Sequence, residues 1–366
     1  MKKAILILCC VLMFSACEDK QKKDAATQNM NADKEVVKIG SVLPLTGGGA
    51  ALGASLKAGV LAAIEDKSKE KLKYKYEAVF EDSRMLPAQS ATAAAKLIND
   101  DGADMILTYA AGSGRMVAPI ADEAKILHMC ATSEDENAQP MGKTSFFQGS
   151  TVQSYQNMLI KALKKQGVKK LALWGSRSNG CRDTERLAKI LQNNGMDVKA
   201  ECFNLTDDNF YFVVRNYIAD GFEYFYLEFF PPQTDIIVKQ LEENDIAPNH
   251  IFGSNIDTGE DILLFDGINH IGACSGNGKF INRMINEYKI ENVHMAAVAY
   301  DLVGLAIDAF ENAQDKKNIY ELIGYIKVRA TRKCMSGDCK LLDNGFIINE
   351  AEWRTYKNGK PVILEK

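Results

Sequence analysis

The residue groupings in this chain that invite a chemical reading are its glycine-rich turns, a few serines between glycines, four histidines and nine cysteines. Gly47-Gly48-Gly49-Ala50-Ala51-Leu52-Gly53 follows a strand-like run and opens a helical one, the context in which a dinucleotide fingerprint occurs. The spacing does not fit. The third glycine falls one residue late, Leu52 stands in its place, and Pro44 lengthens the turn. In 272–279, GACSGNGK has one residue too many between its outer glycines for a phosphate loop, and Phe280 stands where a Ser or Thr must meet the metal. That stretch is read as a turn between a strand and a helix. No G-x-S-x-G elbow occurs, and Gly112-Ser113-Gly114 lacks the spacing that exposes a nucleophile. His128, His250, His270 and His294 are scattered among mostly apolar neighbours, none at ligand spacing from a cysteine pair. Nucleotide, hydrolase and metal chemistry therefore lack visible apparatus, and the chain is read as a non-enzyme without cofactor or metal.

The elements that position these residues alternate regularly. Val36, Val37, Ile39, Val42 and Leu43 read as a strand, after which Leu56, Val60, Leu61 and Ile64 recur at helical spacing. Pro44, Thr46 and the glycine triplet lie between them, where the backbone comes close to something at the carboxyl end of the strand. Strand 74–82, helix 88–98, strand 105–109, helix 117–124 and strand 126–130 continue the pattern, which implies βαβ units around a parallel sheet. It restarts near Ser145 to Ser154 and runs through helices at 155–165, 184–192, 210–218 and 234–243 and strands at 170–174, 198–203, 224–230 and 250–253. The chain is thus two doubly wound α/β lobes in series. Helices at 280–288, 296–310 and 319–326 follow, then short strands with Asn344-Gly345 and Asn358-Gly359 hairpin turns. This tail supplies elements to both lobes. The aromatic run Phe222 to Phe230 alternates along its strand, so half of it belongs to the core, while Glu228, Phe229 and Phe230 at its carboxyl end face a ligand cleft.

Composition sets the class: 366 residues, 46% hydrophobic and 25% charged, are ordinary for a globular chain with room for two domains. The net charge of −4 argues against an electrostatic nucleic-acid binder. Lys2 and Lys3 precede an apolar run from Ala4 to Ala16, too short to span a bilayer but fitting an export signal. Phe14-Ser15-Ala16-Cys17 resembles a bacterial lipobox, with Phe14 in the usual leucine position, which makes 1–16 a signal peptide and Cys17 the lipidated, palmitate-bearing N-terminus. Residues 17–35 are polar and charged and read as a tether. Of the cysteines that remain, Cys334 and Cys339 span a turn and form the best candidate disulfide; Cys181 and Cys202 form a second, weaker candidate.

Ile39 to Gly53 (IGSVLPLTGGGAALG), EDSRMLPAQSATAAAKLINDD within Phe80 to Asp101, Ala299-Tyr300-Asp301 and the closing Lys357-Asn358-Gly359-Lys360 together resemble the type I periplasmic binding proteins of the branched-chain amino acid group. The resemblance covers Val36 to the end. It implies two lobes joined by a three-crossover hinge, with lobe 1 formed by 36–150 plus about 278–330 and lobe 2 by 151–277 plus about 335–366. A small solute would sit between the carboxyl ends of both sheets, and closure would present a surface to an ABC permease. By the same resemblance, lobe 1 holds the solute with Ala111, Gly112 and Ser113 and with Ala131, Thr132 and Ser133; Thr46 and Leu52 flank it. In lobe 2 the resemblance places Asn255 where the family has an acid that grips an ammonium, with Asp257 or Glu228 as substitutes, and Asn179, Phe229 and Phe230 along the cleft. The expected protein is a monomeric, exported, lipid-anchored solute-binding protein of an ABC importer, with a small-molecule solute, a permease and the membrane as partners and no nucleic acid. Its solute is expected to be a branched-chain or related amino acid, an amide or a small carboxylate. The alternative is a sensory receptor of the same fold that signals to a partner.

Overall fold

The computed structural model describes residues 34–176, 181–204, 206–229, 232–254, 262–290 and 293–365. The signal segment, Cys17, Asn179, Phe230, Asn255 and Asp257 lie outside the described residues.

The chain opens with β1 (Val36–Leu43), α1 (Ala50–Ser68), β2 (Lys75–Asp82), α2 (Pro87–Asn99), β3 (Met105–Tyr109), α3 (Ala111–Ala124), β4 (Leu127–Ala131) and β5 (Ser145–Ser150). It crosses to the second lobe for α4 (Val152–Lys165), β6 (Lys170–Ser176), α5 (Arg182–Asn193), β7 (Asp197–Phe203), α6 (Tyr211–Ala219), β8 (Tyr224–Glu228), α7 (Gln233–Glu242), β9 (Ile251–Gly253) and β10 (Asn269–Ala273). It returns for α8 (Gly278–Asn286), α9 (His294–Asn312), α10 (Ile319–Arg329), β11 (Arg332–Cys334), β12 (Gly337–Leu341) and β13 (Phe346–Asn349), and ends in the second lobe with β14 (Ala351–Lys357) and β15 (Lys360–Glu365). Lobe 1 holds a sheet of order β11-β12-β13-β5-β4-β3-β1-β2, and lobe 2 one of order β15-β14-β10-β9-β8-β6-β7. From β2 to β13 in the first, and from β7 to β10 in the second, all pairings are parallel.

Each sheet is covered on both faces, because its strands bury alternate residues in opposite directions. In lobe 1, Ile39, Leu43, Met105 and Leu107 pack with α1, α9 and α10, whereas Val42 and Ile106 pack with α2 and α3. In lobe 2, Phe225 and Leu227 pack under α6 and α7, and Tyr226 packs with α4 and α5. Helix α9, apolar almost all round, is buried along nearly its whole length and crosses α1 so closely that a Cβ on Gly59 would lie 2.1 Å from the Ala296 carbonyl oxygen.

The tail departs from expectation at its division. The expected lobe 2 segment of about 335–366 begins later, because β12 and β13 belong to the lobe 1 sheet and only β14 and β15 complete lobe 2. Phe346 pairs beside Phe147 of β5, their rings stacked at 4.6 Å, a long-range match that no local pattern announces. β10, the strand implied before the 272–279 turn, is short and polar, yet Asn269-His270-Ile271-Gly272-Ala273 is fully buried between β9 and β14. The 358–359 hairpin forms as expected, with Asn358 and Gly359 both at positive φ, as a tight two-residue turn requires. Both candidate disulfides are present, Cys334–Cys339 and Cys181–Cys202; Cys130 and Cys274 are buried.

The chain passes between the lobes three times: between Ser150 and Val152, between Ala273 and Gly278, and through Glu350. The 272–279 stretch, set aside as a phosphate loop, is the second of these passages. Thr151 caps α4 by accepting from the Ser154 N–H at 2.9 Å, and Asn277 caps α8 by accepting from the Phe280 N–H at 3.0 Å. The passages are tied sideways: Ser150 Oγ donates to the Glu350 carbonyl at 3.2 Å, and the Ser275 N–H and hydroxyl both donate to Glu352, at 3.1 and 2.9 Å. Glu352 is fully buried and paired with Arg354 at 2.8 Å, so the hinge rests on a desolvated ion pair that also receives donors from the crossing chain.

Candidate functional site

Strand β5 leaves lobe 1, and β10 leaves lobe 2, by its carboxyl end. Parallel neighbours end on the same side, so the carboxyl ends of the two sheets face each other across the hinge. The loops there form the walls of a cleft, the position at which open α/β sheets hold ligands.

In lobe 1 the glycine-rich turn is shaped by Asp82, at the end of β2. Its carboxylate accepts from the N–H groups of Leu45 (2.9 Å), Thr46 (3.3 Å) and Arg84 (2.9 Å), and from the Thr46 hydroxyl. The Thr46 hydroxyl, aided by these N–H groups, holds the Asp82 carboxyl below its usual range. Gly53 lets α1 approach this turn, since a Cβ there would stand 2.1 Å from the Pro44 carbonyl oxygen. Thr46 is exposed, as a cleft residue must be, but Leu52 is not: helical spacing with Leu56 turns it into the lobe 1 core, 6% exposed.

At the end of β3, Ala110 adopts φ 70°, a conformation that non-glycine residues hold only when their surroundings impose it. Helix α3 begins immediately after, six residues earlier than its apolar spacing suggests, with no side-chain cap. The first-turn N–H groups of Ala111, Gly112 and Ser113 have no intrahelical acceptor and carry the positive end of the helix dipole. Gly112 is exposed; Ser113 is buried, its hydroxyl 2.8 Å from that of Ser90 on α2. At the end of β4, Ala131 is fully buried, Thr132 is 6% exposed and Ser133 is open to solvent. Gly149 allows this loop to lie on β5, because a Cβ there would be 2.1 Å from the Thr132 carbonyl oxygen. The two loops meet below, where Cys130 Sγ lies 3.7 Å from the Ala110 carbonyl; burial pushes the Cys130 thiol up to about 12 and keeps it neutral. Of the lobe 1 positions, Thr46, Gly112 and Ser133 are exposed, whereas Thr132 is buried and its hydroxyl donates to the Ser133 carbonyl at 3.3 Å.

In lobe 2, Glu228 ends β8 half-buried, 3.5 Å from the Thr184 hydroxyl on the first turn of α5. Gly175 admits that contact, for a Cβ on it would touch Thr184 Oγ1. Phe229, expected along the cleft, is instead 1% exposed in the aromatic core, 6.1 Å from Phe203 and 6.2 Å from Phe210. Phe229 continues the alternation of Phe225 and Leu227, whose face of the strand packs into the core under α6 and α7. Ser133, in the loop after β4, and Tyr155, on the first turn of α4, approach across the lobes to 3.5 Å. Sequence reasoning missed Asp82, Thr184 and Tyr155. Asp82 alone carried a signal, since it lies inside the EDSRMLP stretch that bears the family resemblance.

Two α/β lobes, three crossings and a cleft between the carboxyl ends of both sheets define a hinged two-lobe binding protein. A family model described as "Periplasmic binding protein" matches residues 36–318, and the chain belongs to that family. Solved structures share the fold. The leucine-binding protein of Thermotoga maritima matches with TM-score 0.73 at 22% identity, covering 89% of this chain and 97% of that one. The branched-chain amino acid transporter substrate-binding protein of Streptococcus pneumoniae, in complex with isoleucine, matches with TM-score 0.74 at 17% identity, covering 91% and 100%. A Rhodopseudomonas palustris ABC transporter solute-binding protein, in complex with 4-hydroxybenzoate, matches with TM-score 0.69 at 20% identity, covering 91% and 96%. Comparison with curated proteins gives no significant match.

Proposed function

We propose that this protein is an exported, lipid-anchored solute-binding protein of an ABC importer that captures a small carboxylate-bearing solute, foremost a branched-chain or related amino acid. The observation that carries the reading is the lobe 1 wall. An uncapped helix N-terminus follows β3, and Thr132 and Ser133 follow its parallel neighbour β4. Ala111 and Gly112 N–H groups and the Thr132 and Ser133 hydroxyls hold the carboxylate. Glu228 or Asp257 receives an ammonium, in place of the acid that Asn255 replaces, and Asn179 and Phe230 border the solute. Thr46 closes the near side. Structural relatives favour the same feature, because amino acids and 4-hydroxybenzoate, which relatives hold, share a carboxylate. Cys17 carries the lipid, which keeps the binder near its permease at high effective concentration.

Thermal-shift screening of the purified protein against L-leucine, L-isoleucine, benzoate, 4-hydroxybenzoate and neutral amides tests the solute class. A solute present at a hundred times its dissociation constant adds about 2.7 kcal/mol of stability. Stabilisation by amides but by no carboxylate refutes the reading. Stabilisation by benzoates and not by amino acids removes Glu228 and Asp257 from the role of ammonium acceptors.

A further inference from the structure

The loop after β4 reaches out of lobe 1 and lies against lobe 2. Near the hinge its contacts are short. The Val152 N–H donates to the Glu134 carbonyl at 3.2 Å, the Thr151 hydroxyl to Glu136 at 3.2 Å, and the Gln153 amide to Asp135 at 2.8 Å. The loop is held on its own lobe by Asn344, which donates to the carbonyls of Glu136 and Ala138, and by the Arg115–Glu134 ion pair at 2.9 Å. Its carboxylate at Asp135 is further fixed by the Asn137 N–H at 2.9 Å.

One contact differs from the rest. Arg186, on α5, pairs with the same Asp135 oxygen that Gln153 contacts, at 3.5 Å. Gln153 sits on the first turn after a crossing, so its distance to lobe 1 barely changes when the lobes rotate. Arg186 is a full βα unit further on, and its distance to Asp135 changes with the opening angle. Asp135 is thus a lobe 1 acceptor already oriented by its own loop, and Arg186 is a lobe 2 cation that reaches it only when the lobes are together.

We infer that Asp135 and Arg186 form a latch that sets the balance between open and closed lobes without touching the solute. The inference rests on the proposed role as a hinge-bending binder, and it adds that affinity is tuned outside the cleft. A ligand is captured more tightly when the competent closed state is more populated before it arrives. Arg186 is 55% exposed on its side chain and Asp135 34%, so the pair is screened by salt and has the strength of a surface ion pair. Its removal changes the closed-to-open ratio by about 1.4- to 5-fold.

The test reads the lobe distance directly. Spin labels at Glu123→Cys on α3 and Lys189→Cys on α5, both exposed positions, report the interlobe distance distribution in the full chain without any solute. Arg186→Gln is expected to lower the ratio of short- to long-distance populations by about 1.4- to 5-fold, Arg186→Lys to retain most of it, and ~1 M NaCl to reproduce the Arg186→Gln change. Asp135→Asn keeps the acceptor for Asn137 while removing the charge, so adding it to Arg186→Gln is expected to cause no further shift. A distribution unchanged in Arg186→Gln, or an equal further shift on adding Asp135→Asn, overturns the latch. L-isoleucine titration runs alongside: an affinity loss in Arg186→Gln that matches the population change supports the latch. If L-isoleucine fails to bind wild type, the amino-acid reading falls, while the solute-free distances still decide the latch.

Discussion

Gly53→Ala offers the sharpest test of how the cleft is built. In an ordinary helix interior this substitution gains about 1 kcal/mol, because alanine loses less backbone freedom than glycine on folding. Here the new Cβ would stand 2.1 Å from the Pro44 carbonyl oxygen and 2.6 Å from its carbon, and the nearest atoms are backbone that no rotamer change can move. Relief requires the 44–46 turn to move away from α1 by roughly 1 Å, against the Asp82 carboxylate that holds Leu45 and Thr46. Overpacking of this kind costs about 1–3 kcal/mol, so the sign of the effect reverses. Gly48→Ala is the control, since its Cβ would meet nothing within 4 Å. Thermal unfolding followed by far-UV circular dichroism is expected to show Gly53→Ala below wild type by roughly 2–4 °C per kcal/mol, and Gly48→Ala close to wild type. Solute affinity should fall with Gly53→Ala, because Thr46 moves with the turn. A Gly53→Ala protein as stable as wild type, or more so, refutes the close approach and with it this account of the glycine-rich turn.

His128 is fully buried between Thr108 and Ser145, both at 2.9 Å, and burial lowers its pKa to about 4. A folded-state value below the unfolded one means stability that is complete above about pH 6.5 and declines as pH falls toward 4, by roughly 3 kcal/mol in all. Urea midpoints measured from pH 7 to 4 should therefore fall more steeply in wild type than in His128→Gln; parallel slopes count against it. The two disulfides differ in the chain they close, with sequence separations of 21 for Cys181–Cys202 and 5 for Cys334–Cys339. Paired Cys→Ala replacement of the first should destabilise by about 1 kcal/mol more than that of the second, read from urea midpoints; the reverse order contradicts a loop-closure origin.

Much of lobe 1 and lobe 2 was legible because it is local. The βα order, the helix faces and the 358–359 turn follow from side-chain period and from residues that tolerate positive φ. β5 and β10 were harder. Ser145–Ser150 and Asn269–Ala273 carry serine, glutamine, asparagine and histidine that are buried because strands pair with them on both sides. The site was legible as loop positions and less so as side chains. Leu52 and Phe229 lie close to the right loops but face the cores, because one lies on the buried stripe of α1 and the other continues the core-facing alternation of Phe225 and Leu227.

The sequence alone determined the two-lobe α/β class, the failure of the glycine turn as a phosphate site, and the hairpin, since each depends on neighbours within a few residues. It left open why Gly47 to Gly53 is so rich in glycine. Tertiary structure decided that question: Gly49 and Gly53 make room for Met85 and the Pro44 carbonyl, groups brought there by strand pairing. It also decided that β13 joins β5, that the tail divides at Glu350, and that Asp135 meets Arg186. Those contacts join residues far apart in the chain, and their free energy depends on packing that no local pattern encodes.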